Sequence, residues 1–144
     1  MGHIDPAAYD AWYHTPLGSL CHRLERDALF SLTTFKRGEA VLDAGCGTML
    51  IGFLNRNSPW ASLRMEKGIA PASVWHGVRF YSLPEIAGLA FKAGFVMRGF
   101  KGAVHFPPDV AVKEPSALEV MEAEGRQNSP SSAAFFGVTF AKTR

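Results

Sequence analysis

Apolar positions along this chain follow two rhythms. Between Pro16 and Phe35, residues Leu17, Leu20, Cys21, Leu24, Ala28, Leu32 and Phe35 recur near helical spacing, with Arg23, Arg26 and Asp27 between them. That spacing predicts an amphipathic helix from Pro16 to about Thr34 with one buried face. Thr15-Pro16 starts it, and Lys36-Arg37-Gly38 ends it with cations at the negative pole and then a glycine. Asp5-Pro6 gives the same start signal ahead of a shorter helix through Tyr13. Ser58-Pro59 opens a helix through Trp60, Leu63 and Lys67. Ser82-Leu83-Pro84-Glu85 reads as a capping box, followed by an apolar stripe of Ile86, Leu89, Ala90 and Ala93 and a closing Gly94. Pro115 to Glu124 is a further helix, with Leu118, Val120 and Met121 inward and Glu119 and Glu122 on a solvated face.

The second rhythm is short and dense. Ala40 to Ala44, Leu50 to Leu54, Phe95 to Val104 and Ala133 to Lys142 are apolar runs of strand length. Gly99 and Gly102 mark the third as bulged. Val78 to Tyr81 is expected to be extended, and the stretches 68–77 and 125–132 to be loops. The predicted order is helix-helix-strand-strand-helix-helix-strand-helix-strand, an α/β pattern.

Composition narrows the classes. The 144 residues suit one domain, and 47% hydrophobic against 19% charged residues fits a packed core rather than disorder. A net charge of +2 is too weak for a nucleic-acid surface. No apolar run approaches the ~18 residues of a membrane span. Asp5 and Pro6 stand where a secretory leader would have its apolar core, so a cytoplasmic location is expected. Cys21 and Cys46 have no metal-type spacing and read as reduced thiols, and histidines 3, 14, 22, 76 and 105 are scattered, so no metal site is expected. Asp10 near His14, Glu25 near His22, and the basic group Arg56, Arg64 and Lys67 read as solvated neighbours. No serine sits in a nucleophile elbow.

Candidate chemistry is concentrated in "VLDAGCGT", residues 41–48. An apolar strand ending in Asp43 and then Gly45-Cys46-Gly47 allows a tight turn whose backbone N–H groups can approach a ligand. This string resembles motif I of the class I S-adenosylmethionine-dependent methyltransferases. Residues 9–29, "YDAWYHTPLGSLCHRLERDAL", resemble the amino-terminal cap helices of that superfamily's small-molecule branch. Residues 50–64 are similar to its fifth strand and the segment that follows, and residues 77–95 to the helix before its last strand pair. The final two strands fit its carboxy-terminal antiparallel pair. The resemblance implies a Rossmann-like sheet flanked by helices. It implies contacts to S-adenosylmethionine from Asp43, Gly45 and Gly47, and a lid role for the helix carrying Tyr9, Trp12 and Tyr13. The same aromatic stripe also reads as core packing.

The middle of the family pattern is missing. Met49 stands at the third glycine of the motif, and nothing matches the acid that holds the ribose or the loop that holds adenine. The chain therefore reads as a single truncated domain over 1–144, with cap helices and first strand in 1–44 and the carboxy-terminal half in 50–144. In the family the first and fifth strands run parallel, and parallel neighbours need a crossover of a dozen or more residues. Residues 45–49 span at most roughly 17 Å, about the length of the strand itself. Two arrangements remain: a local antiparallel hairpin through the glycines, or exchange of the first strand between two copies. The expectation is an intertwined homodimer of degenerate methyltransferase-like chains, without catalysis or tightly held cofactor. The other reading is an S-adenosylmethionine-dependent small-molecule methyltransferase whose pocket forms across the dimer.

Overall fold

A single hydroxyl turns the chain at its first corner. The structure, a computed structural model, describes residues 6–32, 48–71, 73, 75–110 and 115–143. Thr15 Oγ1 donates to the Trp12 carbonyl at 2.7 Å and accepts from the Gly18 N–H at 3.0 Å. It thereby closes helix α1 (Pro6–Tyr13) and caps helix α2 (Pro16–Phe30). The turn is close: a Cβ on Gly18 would lie 2.0 Å from the Trp12 carbonyl oxygen. Helix α2 stops at Phe30 rather than near Thr34. The Ser31 N–H reaches the Asp27 carbonyl, and its hydroxyl donates to the Ala28 carbonyl at 2.7 Å, so the last turn is satisfied early. The predicted stop at Lys36-Arg37-Gly38 and the predicted strand Ala40 to Ala44 lie outside the described residues.

The described part is mixed α/β, with one three-stranded antiparallel sheet. Strands β1 (Thr48–Leu54), β2 (Phe95–Ala103) and β3 (Phe135–Lys142) lie in the order β1-β3-β2. Since β1 and β2 each run against β3, they point the same way. Helices α3 (Pro59–Lys67) and α4 (Leu83–Lys92) separate β1 from β2, and α5 (Pro115–Asn128) precedes β3. The glycine-marked bulge falls between Met97 and Gly99. Of the expected extended stretch 78–81, only Tyr81 pairs, bridging to Asn55. The loop expected over 125–132 is instead helical to Asn128 and then a 3₁₀ turn, Pro130–Ser132.

Strand β3 is buried from Phe135 to Phe140 because both of its faces are covered. Phe136, Val138 and Phe140 pack with Met49, Ile51 and Phe53 and with Leu83, Ile86 and Ala90 of α4. On the other face Gly52 and Gly137 pair in register beneath α2, where a Cβ on Gly137 would meet Leu29 at 3.0 Å and Leu32 at 3.2 Å. These bare positions let the helix lie close to the sheet. Helix α4 packs chiefly against β2, so its predicted stripe is only partly used: Ala90 is buried, but Leu89 is 51% exposed and Ala93 is exposed. Val120 on α5 likewise faces out.

Serines start α3 and α4 as predicted. Ser58 Oγ accepts from Ala61 N–H at 3.1 Å. Glu85 accepts from the Ser82 N–H and hydroxyl, each at 2.8 Å, and pairs with Arg56 at 2.7 Å. Those hydrogen bonds hold the Glu85 carboxyl below its usual range. Gly94 ends α4 at φ +82°.

Two glycines separate packing from propensity. Gly18→Ala should lower unfolding free energy by about 1–3 kcal/mol because its methyl meets backbone. Gly88→Ala, with nothing within 4 Å of the new carbon, should raise it by about 0.5–1 kcal/mol. Urea denaturation of both variants measures the difference.

Candidate functional site

The residues best placed for chemistry gather where β2 ends. Val104 follows the strand with φ +63°, a conformation that a β-branched residue adopts only when its surroundings hold it there. Glu122 of α5 supplies the hold. Its carboxylate, 3% exposed, accepts from the Val104 N–H at 3.3 Å, the His105 N–H at 2.6 Å and Arg126 Nε at 3.1 Å. The Val104 carbonyl takes the Ala134 N–H at 2.9 Å, and the Phe106 carbonyl takes the Trp60 indole N–H at 2.7 Å. A buried carboxylate with three donors is a satisfied one. The sequence expectation of a solvated face holds for Glu119, which pairs with Arg23 at 2.6 Å at the surface, and fails for Glu122.

The ring of His105 is clamped between two glycines. A Cβ on Gly125 would fall 2.3 Å from His105 Cβ, and one on Gly102 3.2 Å from His105 Nε2. This explains why α5 runs on through Gly125. Nδ1 is buried and has no hydrogen-bond partner among the described residues. An N–H there would be an orphaned donor, so the ring proton is assigned to Nε2. Beside the ring opens a cleft of about 310 Å³, lined by Asp27, Ser31, Phe100, Lys101, Arg126 and Pro130 among others.

Another polar group is buried at this end of the sheet. Asn55, 1% exposed, donates through Nδ2 to the Ser131 and Ala133 carbonyls at 3.0 and 2.9 Å and accepts from the Asn57 N–H at 3.1 Å. It ties the exit of β1 to the entry of β3. Glu25 is half-buried on α2, and desolvation pushes its pKa up to about 7, against the opposing pull of Arg64. The Arg64 guanidinium lies over the rings of Trp60 and Trp75, at 5.2 and 4.7 Å, rather than in a solvated basic edge. Burial foremost pushes the Cys21 thiol up to about 12, which makes it unreactive.

Asp43, Gly45 and Gly47 lie outside the described residues, as does Cys46. Tyr9 lies on α1, and its side chain is outside what is described. On the same helix Trp12 packs on the core, and Tyr13 meets His22 edge-on at 5.1 Å. Among the described residues there is no group of three His, Cys, Asp or Glu that could hold a metal, and no helix long and apolar enough to cross a membrane. Glu122, Asn55 and His105 escaped sequence reasoning. The only signals were the Glu122/Arg126 spacing and glycines at 102 and 125.

No family model matches the chain. Over 65 residues it is 32% identical to proteins of Mycobacterium tuberculosis and Mycobacterium bovis, each called an uncharacterized protein. That stretch is 45% of this chain, and the chain spans only 23% of the length of those relatives.

Glu122→Ala should cost about 2–4 kcal/mol by orphaning two buried N–H groups, while Glu119→Ala should stay within about 1 kcal/mol. Chemical denaturation of the two variants checks the contrast. Glu25 gives a pH signature. Its folded pKa of about 7 exceeds its unfolded value of 4.5, so the folded state binds more protons between those values. Stability should therefore fall as pH rises through that window and level off above it. Glu25→Gln should flatten this slope in melts recorded from about pH 4 to about pH 8.

Proposed function

We propose that the chain is a methyltransferase-like remnant without catalysis that works as an intertwined homodimer. The observation that carries this reading is the outer edge of β1. From Thr48 to Leu54 that edge has no partner strand among the described residues. Met49, Ile51 and Phe53 are only half-buried, and Leu50 is 38% exposed. An open apolar edge strand is a template for another strand. The predicted strand Ala40 to Ala44 of a second copy has the apolar character to pair along most of this edge, and the three residues 45–47 that separate it from β1 are too short for a parallel return within one chain.

Loss of catalysis follows from what the resemblance lacks. Asp43, Gly45 and Gly47 match the glycine motif, but no residue matches the ribose acid or the adenine loop. A nucleoside needs several convergent polar groups in a formed pocket, and a turn alone supplies few. The tidy caps at Thr15, Ser58 and Ser82 support a chain that still folds.

Static light scattering at micromolar concentration should give twice the 15.7 kDa chain mass. Calorimetry with S-adenosylmethionine or S-adenosylhomocysteine should register no binding heat. A monomer would sink the assembly. Micromolar cofactor binding with transfer of labelled methyl to a small acceptor would establish the dimeric enzyme instead.

A further inference from the structure

The cleft beside His105 is built from α2, β2 and α5, and it owes nothing to the glycine motif. Its polar groups are unevenly shared between its walls. On one wall are Lys101, Arg126 and His105. Arg126 is engaged by Glu122 through Nε, at 3.1 Å, which leaves its terminal amino groups for a ligand. His105, with its ring clamped by Gly102 and Gly125, adds a donor at Nε2. Lys101 is exposed and forms no ion pair among the described residues.

The opposite wall differs. It is the last turn of α2, where the helix dipole is negative. Asp27 stands there, its charge offset by Arg26 at 3.2 Å. The Ser31 hydroxyl spends its proton on the Ala28 carbonyl, so toward the cleft it can only accept. Phe100 and Pro130 give the cleft apolar surface between these walls.

We propose that this cleft binds a small molecule through an oxyanion, a phosphate or carboxylate group held by Lys101, Arg126 and His105 Nε2–H. The wall of acceptors places an amine or hydroxyl at the other end of the same molecule. Two features make the donor wall more than a surface of basic residues. The His105 ring is confined by Gly102 and Gly125 and Arg126 is anchored to Glu122 before any ligand arrives, so less rotamer freedom is lost on binding than at free surface side chains. The volume of about 310 Å³ is at the lower end of small-ligand pockets and suits a compact polar metabolite.

Titration of the isotope-labelled protein with inorganic phosphate, and separately with malonate, tests the assignment by amide NMR. Sodium chloride at matched ionic strength is the control. Saturable shifts at Lys101, Gly102 and His105, absent with chloride, are the expected result. Saturation by phosphate alone, by malonate alone or by both identifies the anion class. Lys101→Gln, an exposed substitution that leaves the fold intact, should weaken binding about two- to fivefold. Absence of saturation, equal shifts with chloride, or an unchanged affinity in Lys101→Gln would overturn the proposal. The outcome is independent of dimer mass and of cofactor heat.

Discussion

Everything at the carboxyl end of the sheet depends on one buried carboxylate. Glu122 takes the two N–H groups that β2 cannot pair as it turns out of the sheet, and it takes Arg126 as counter-charge. Without it the left-handed Val104 would lose the partner of its N–H, and the His105 backbone would lose its tie to α5. The same contacts bring α5 against the sheet. A long-range structural bond and the shape of the cleft are therefore one feature.

Asn55 does for β1 what Glu122 does for β2. Its amide reaches two carbonyls ahead of β3, so the exit of one strand and the entry of the next are fixed to each other. Between these polar anchors the sheet is shaped by what is missing from it. Paired Gly52 and Gly137 lower one face so that Leu29 of α2 can approach, while Phe136 and Phe140 of β3 fill the other. The three layers are thus set by two buried polar residues and two absent side chains.

Local chemistry was legible in the sequence, and tertiary compensation was not. Thr15, Ser58 and Ser82 announced their helices because a cap needs only neighbours in the chain. The Met97–Gly99 bulge was announced by its glycine. Glu122 was read as solvated because helical spacing does not say that two strand-end N–H groups lie opposite. Gly125 read as a loop residue because nothing local tells that a histidine ring needs its space. Leu89 read as core because the stripe on α4 is wider than the part of the sheet beneath it. The cleft assembles from residues 27 to 130, so no window of sequence could reveal it. The glycine motif, the clearest string in the sequence, lies outside the described residues.

The strand order has a consequence for how the chain is born. The middle ribbon, β3, is the last of the three to leave the ribosome, yet among the described residues both others pair only with it. Until Phe135–Lys142 emerges, β1 and β2 wait as unpaired apolar segments, and their closure with it needs contacts such as Thr48 with Ala141. Such high contact order slows folding and lengthens the exposure of sticky intermediates.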